Sequence, residues 1–249
     1  MNQIIDTIMN HRSIRKFEEK ALSEDQIRTI VESAQAASTS SFIQAYSIIG
    51  VKDKGRKQQL AEIAGNQTYV AENGHFFVFC ADLHRHQVLS QMENRDITTS
   101  LQSTEKFMVA VIDAALAAQN AVIAAESMGL GACYIGGLRN NLEDVCQVLK
   151  VPERVIPLFG IAVGYPDQEP GKKPRLPYEH VYHEDEYQQD EKVYVKQLQE
   201  YNKIISEYYL ERTDGKRSDT WTEQMVNMLE KPKRMYMKEF VKKQGYDLE

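Results

Sequence analysis

His11, Arg12, Ser13 and Arg15 fall within one five-residue window, HRSIR, directly behind a short apolar run. Such a set offers several strong hydrogen-bond donors, three of them cationic or able to become so. That chemistry suits a small anion, a phosphate above all. Two further basic patches stand elsewhere. KKPR at 172–175 carries Lys173 and Arg175 and is held extended by Pro170, Pro174 and Pro177; Arg212, Lys216 and Arg217 surround the polar loop TDGKRSD. STSSF at 38–42, with Thr39, and Asn66-Gln67-Thr68-Tyr69 supply hydroxyls and amides that fit phosphate oxygens and heterocycle edges. Each patch taken alone also has an ordinary explanation. HRSIR can be the basic end of a helix facing the negative pole of its dipole, KKPR a solvated linker, and the third patch a solvated helix end.

Composition sets the background. The 249 residues can bury a substantial core as one large domain or two small ones. Hydrophobic residues at 42% and charged residues at 27% are ordinary for a globular protein. A formal net charge of −6 argues against general nucleic-acid binding and makes a basic window more notable. Cys80, Cys133 and Cys146 lie in apolar surroundings without a CxxC, so reduced core thiols are expected. Asp6, Asn10 and HRSIR interrupt the N-terminal apolar positions, so no signal peptide is read and a cytoplasmic location is expected. Residues 108–131 could pass for a membrane span, but Asp113, Gln119, Asn120 and Glu126 would be costly in hydrocarbon. A helix apolar nearly all round, buried inside the protein or an oligomer, is the better reading, and no membrane partner is expected.

Local patterns place these residues. Ile4, Ile5, Ile8 and Met9 repeat at helical spacing, so a short helix over 2–10 delivers the HRSIR window. Ser23 to Gln26 forms a capping box and opens a helix to about Ala37. Tyr46–Val51 and Phe76–Ala81 read as buried strands with a helix over Lys54–Ala64 between them. Gly131–Gly136 is a short strand, Asn141 caps a helix to Lys150, and Val155–Gly164 is an apolar strand containing Pro157. No GxGxxG follows a strand, and P-loop, HExxH and GxSxG motifs are missing. Beyond Tyr165, residues 166–192 are proline-rich and charged, an extended connection. Val195, Leu198, Tyr201, Ile205, Tyr208 and Tyr209 then share one helical face, and Thr220 to Glu223 caps a last helical region. Asp82, His84 and His86 would line up as metal ligands only if their strand continued past Asp82. A strand end is the stronger reading, and no metal site is expected.

HRSIRxF, SxSSFxQ at 38–44, GNQxYV at 65–70, AAESMGLGACYIGGLRN at 124–140, LFGIAVGYP at 158–166, KPRLP at 173–177 and RSDTW at 217–221 occur in this order. Together they resemble the nitroreductase superfamily, in its branch of NADPH-dependent flavin reductases and oxygen-insensitive major nitroreductases. The resemblance spans essentially the whole chain. It implies a single α+β domain over 1–249, with a mixed, mainly antiparallel sheet wrapped by helices and a C-terminal connection and helical excursion over 165–249. It also implies an intertwined homodimer, with the 104–129 helix as its central element and FMN at the subunit interface. His11, Arg12, Ser13 and Arg15 resemble residues that hold the FMN phosphate and flavin edge, and Lys173 and Arg175 the second half of that clamp. Thr39 stands where relatives often have serine. Gln67 resembles the amide at the flavin pyrimidine edge or ribityl chain. Tyr134, Ile135, Gly136 and Gly137 resemble the segment beside the ring, where the glycines permit close approach. Arg212 and Arg217 are similar to arginines that receive the NADPH 2′-phosphate. Their loop, far along the chain from both halves of the clamp, is expected to act independently of FMN. The implied reaction is ping-pong: hydride passes from NADPH, or NADH, to FMN, and two electrons then pass to free FMN, nitroaromatics, quinones or azo compounds. The cofactor carries this chemistry, so no dedicated catalytic side chain is expected. The alternatives are a physiological nitro or quinone reductase in which flavin reduction is incidental, and a flavin-binding protein without turnover.

Overall fold

His75 to Asp82 carries no polar alternation, and it forms the strand β2 (His75–Asp82), buried along its whole length. Such a strand must be covered on both faces. The computed structural model, which describes residues 2–248, shows how. Four antiparallel strands run in the order β1 (Tyr46–Val51), β2, β4 (Val155–Gly164), β3 (Gly131–Ile135). Residues of β2 alternate between two layers. Phe77 and Phe79 meet Ile30 and Ala34 of α2 (Glu24–Gln35) and the alanines of α6 (Thr104–Ser127). Phe76, Val78 and Cys80 meet Leu60 and Ala61 of α3 (Lys54–Ile63) and Val145 of α7 (Leu142–Leu149). The expected α+β sheet wrapped by helices is therefore present. Its mixed character comes from one parallel bridge, Ser13 to Ala132, outside the named strands.

Pro157 sits in an interior strand, where a missing N–H breaks a ladder. The register accommodates it with a bulge: Phe79 faces Phe159, whereas Cys80 faces Pro157, leaving Leu158 as the extra residue. The capping box at Ser23 and the Asn141 cap form as read from the sequence, and α1 (Gln3–Met9) precedes HRSIR. The chain also contains α4 (His84–Met92), α5 (Thr98–Gln102) and α10 (Met237–Lys243), which the apolar periodicity did not signal. α4 is polar and weakly amphipathic, and α5 and α10 are shorter than two full turns. Because α4 begins at His84, Asp82, His84 and His86 do not share a strand face. Asp82 accepts hydrogen bonds from Ser47 Oγ and the His84 N–H, and His86 Nε2 meets the Ile43 carbonyl.

α6 is long and apolar enough to cross a membrane by composition, but the structure ties it to the body of the first unit. Its inner stripe is buried against the sheet, while Met108, Ile112 and Leu116 form an exposed outer stripe, so burial within this one chain is incomplete. Asp113, fully buried at 0% exposure, accepts the Ser40 N–H on Oδ1 and the Ala45 N–H on Oδ2, each at 3.0 Å. Between those anchors Ser41, Phe42 and Gln44 take positive φ angles, which non-glycine residues rarely adopt.

The contacts divide the chain into one compact unit of Met1–Pro170 with Arg234–Glu249 and a second of Gly171–Lys233. The second unit is built on α8 (Glu191–Arg212) and α9 (Trp221–Leu229), the latter opened by the Thr220–Glu223 capping box. Tyr201, Ile205 and Tyr209 form its small core with Leu176, Tyr208 and Trp221. Val195, expected on the same face, is exposed instead. The core cluster begins only at Tyr201, so the apolar stripe outruns its cover.

Asp113→Ala should remove two charge-assisted bonds and leave two backbone donors unpaired, a loss of about 3 kcal/mol or more. Urea unfolding should show a lower midpoint at unchanged slope, and a midpoint equal to wild type would refute the anchoring role.

Candidate cofactor and nucleotide site

The HRSIR segment runs along the outer edge of β3. Ser13 bridges Ala132, the Ile14 N–H donates to the Ala132 carbonyl at 3.0 Å, and Phe17 bridges Pro166. The approach is close because Gly131 lacks a side chain: a Cβ there would lie 2.6 Å from Ile14. Ile14 is buried. Ser13 and Arg15 lie near the Cys133 thiol, whose pKa burial raises against their opposing effect.

Arg15 also lies beside the Tyr69 hydroxyl and opposes the rise in its pKa that burial causes. Tyr69 in turn donates to Gln67 Oε1 at 2.6 Å, and Gln67 Nε2 donates to the Ala64 carbonyl at 2.8 Å. A Cβ on Gly137 would lie 2.5 Å from that carbonyl and 3.0 Å from Gln67 Nε2. Arg15, Gln67 and Gly137, which are far apart in sequence, thus lie in one neighbourhood with Tyr69 and Cys133. Tyr69 was read only as part of a polar segment, and Cys133 was not picked out from the sequence as a site residue. The GNQxYV motif already contained the tyrosine, but nothing local to Cys133 marks it.

The donors of HRSIR are not equivalent. His11 Nδ1 pairs with Glu126 Oε1 at 2.6 Å, and Arg12 pairs with Glu169 at 3.1 Å. Among the described residues Arg15 pairs with no carboxylate. Its neighbours include a phenol and a thiol, so its charge is the one best placed to meet an incoming anion.

The end of β3 and the turn after it are tied into the protein's own core. Ile135 is buried in the core, so only its backbone can reach a bound molecule. A Cβ on Gly137 has no room against the Ala64 carbonyl, so packing within the protein itself calls for a glycine here. Gly136 is half-buried, and a Cβ there would meet only the end of Arg139 at 3.0 Å. The Tyr134 ring lies against Phe159 with centroids 5.5 Å apart, and burial pushes its hydroxyl up to about 12. Thr39 opens the strained turn that Asp113 anchors, and its carbonyl accepts the Phe42 N–H at 3.3 Å. Phe42 itself is 81% exposed.

In the second unit, three expected cations gather on two adjacent tyrosines. Lys173 Nζ donates to the Tyr209 hydroxyl at 3.0 Å. The Arg217 guanidinium lies 4.3 Å from the centre of the Tyr209 ring, and Arg212 donates to the Tyr208 hydroxyl at 3.0 Å. Lys173 chiefly holds the Tyr209 phenol below its usual range, with Arg217 and Arg212 adding to the effect. Arg175 stands apart from this group, close enough to Tyr201 to favour its phenolate against burial. Sequence distance suggested that Lys173 and the Arg212–Arg217 loop act independently. In the fold Lys173 and Arg217 nevertheless lie on the same ring.

Comparison with known proteins matches these parts in order. The model of the nitroreductase family covers residues 8–165, and that of the nitroreductase family C-terminal domain covers residues 173–249. The chain belongs to the nitroreductase family. This nitroreductase-family chain is 55% identical over 247 residues, 99% of each chain, to an FMN reductase (NADPH) of Bacillus subtilis (strain 168). The structure of B. megaterium NfrA1 matches it with a TM-score of 0.98 and 67% identity, covering 99% of this chain and 100% of that one. The NADPH:FMN oxidoreductase from Vibrio harveyi complexed with NAD+ matches with a TM-score of 0.87 and 38% identity, covering 98% and 99%.

Gly137→Ala should cost about 1–3 kcal/mol through overpacking against backbone. Gly136→Ala should cost less, because the Arg139 side chain can yield. Thermal unfolding of the two variants checks this, and equal melting temperatures would show that the Ala64 contact imposes no constraint.

Proposed function

We propose that the protein is an FMN-dependent NAD(P)H oxidoreductase. It would oxidise NADPH, with NADH as a poorer donor, and reduce free flavin, nitroaromatics, quinones or azo compounds. FMN, when bound, supplies the redox chemistry, accepting a hydride and releasing two electrons. The observation that carries the reading is Arg15, a cation without a carboxylate partner among the described residues, set beside Ser13 and the Tyr69–Gln67 pair. That donor set fits a group that is anionic at one end and a polar heterocycle at the other.

The chain's own residues bind and orient. Arg15 and Ser13 would hold the phosphate. Arg12 would join them by leaving Glu169, a contact that is cheap to break because Glu169 is 84% exposed. His11, fixed by Glu126, would support the same end. The second N–H of Gln67 remains for the heterocycle edge, since its oxygen and one N–H are engaged. Backbone N–H groups of Tyr134 to Gly137 would line the ring. Arg212 and Arg217 would receive the 2′-phosphate of NADPH, for which paired guanidinium donors are suited. Free reduced thiols fit a cytoplasmic location.

A homodimer belongs to the same proposal. Met108, Ile112 and Leu116 of α6, with Ile4, Ile5, Ile8 and Met9 of the adjoining α1, leave an apolar surface exposed. A surface of this kind favours association with a second copy. Wild type should sediment as a dimer, and Leu116→Glu should shift it to monomer. A wild-type monomer at micromolar concentration would refute the assembly.

The function itself is tested by spectroscopy. The purified protein should show a flavin band that anaerobic NADPH bleaches and that returns on adding FMN or a nitroaromatic. Arg15→Ala should weaken FMN binding by roughly 10- to 100-fold, read from quenching of flavin fluorescence, because one charge-assisted contact is worth about 1.5–3 kcal/mol. Wild-type affinity in this variant would overturn the placement of the phosphate.

A further inference from the structure

The arginine proposed for the nucleotide phosphate is already occupied. Arg217 Nε donates to Asp219 Oδ2 at 2.7 Å, and one terminal nitrogen approaches the same oxygen at 2.6 Å. The edge of the guanidinium that a phosphate would use is therefore covered by an internal carboxylate. Both side chains are about half exposed, at 50% and 45%. An ion pair this open is weakly held.

The surroundings are arranged for an anion all the same. The Tyr209 ring lies under Arg217, its hydroxyl takes Lys173 Nζ, and it donates to Gln224 at 3.1 Å. Tyr209 is itself buried, so its ring is a fixed support for Lys173 and Arg217, and Asp219 follows Arg217 on the same polar loop. Arg217 is further fixed through its backbone, whose N–H donates to Thr213 Oγ1 at 2.9 Å. Arg212 adds a third cation on Tyr208.

We propose that Asp219 is a nucleotide-selectivity residue: it occupies Arg217 as a stand-in for the NADPH 2′-phosphate and must be displaced when that phosphate binds. This rests on the assignment of Arg217 to that phosphate. A phosphate monoester carries close to two negative charges at neutral pH and offers more acceptor oxygens than a carboxylate. It therefore wins the exchange, but against the attraction between Asp219 and Arg217 and the repulsion between two anions. NADH has no 2′-phosphate and meets neither term. Asp219 thus lowers the affinity for NADPH selectively and keeps the basic loop paired when no nucleotide is present.

The test uses the FMN-loaded enzyme at low salt, where charge effects are least screened. Asp219→Asn keeps the side chain's size and removes its charge. It should lower KM for NADPH three- to tenfold and leave KM for NADH and both kcat values unchanged. Calorimetric titration with 2′-AMP should show the same tightening without turnover, and 5′-AMP should not respond. Asp219→Ser should behave like Asp219→Asn, which guards against an effect peculiar to the amide. Arg217→Ala is the control for the underlying assignment and should weaken NADPH and 2′-AMP while sparing NADH. If Arg217→Ala does this and the Asp219 variants leave NADPH and 2′-AMP unmoved, or weaken them, the stand-in role is wrong and the phosphate assignment survives. If Arg217→Ala spares NADPH and 2′-AMP alike, the assignment fails and the role of Asp219 fails with it.

Discussion

One buried carboxylate fixes the relation between the longest helix of the first unit and the strained loop beside it. Asp113 lies in the middle of α6, a helix otherwise dominated by alanine, valine and isoleucine, and its two oxygens hold the N–H groups of Ser40 and Ala45. An uncompensated carboxylate in that position would be strongly unfavourable. The loop must therefore stay where its donors reach the acid, even though Ser41, Phe42 and Gln44 adopt left-handed backbone to do so. The same helix supplies the small side chains that let α2 and the sheet close over it. A stretch that reads as a membrane span by composition thus serves as the central beam of the unit and positions the segment that carries Thr39.

The candidate site follows a consistent electrostatic pattern. Where a cation is expected to meet a phosphate, an acid from the protein often holds it first: Glu126 for His11, Glu169 for Arg12 and Asp219 for Arg217. Arg15 departs from the pattern and rests on Tyr69 and Cys133. Internal pairing keeps a basic surface neutral inside an acidic chain, and exposed pairs of this kind are cheap to exchange for a stronger anion. The aromatic supports complete the arrangement. Tyr69 fixes Gln67, and the buried Tyr209 carries Lys173 and Arg217, so aromatic rings set orientation while charge stays at the surface.

The sequence by itself determined the elements whose signals are local. Ser23, Asn141 and Thr220 cap the helices they were read to cap, because a cap depends on residues three apart. β1 and β4 lie where their apolar runs lie, because a short run of Ile, Val and Phe between polar stretches is itself a local signal. The order of motifs from HRSIR to RSDTW sufficed to identify the family. The tertiary structure alone decided which of these residues meet. Arg15, Gln67 and Gly137 come together only through the sheet register that brings β3 beside residues 11–17 and α3 beside the turn after β3. Gly137 proves to be demanded by the Ala64 carbonyl, a contact across more than seventy residues that no local pattern encodes. Lys173 and Arg217 share Tyr209 because α8 carries that ring into the small core of the second unit. Helical and strand periods report on neighbours within a turn or a pleat, whereas these meetings depend on how whole elements pack, and packing is a property of the complete fold.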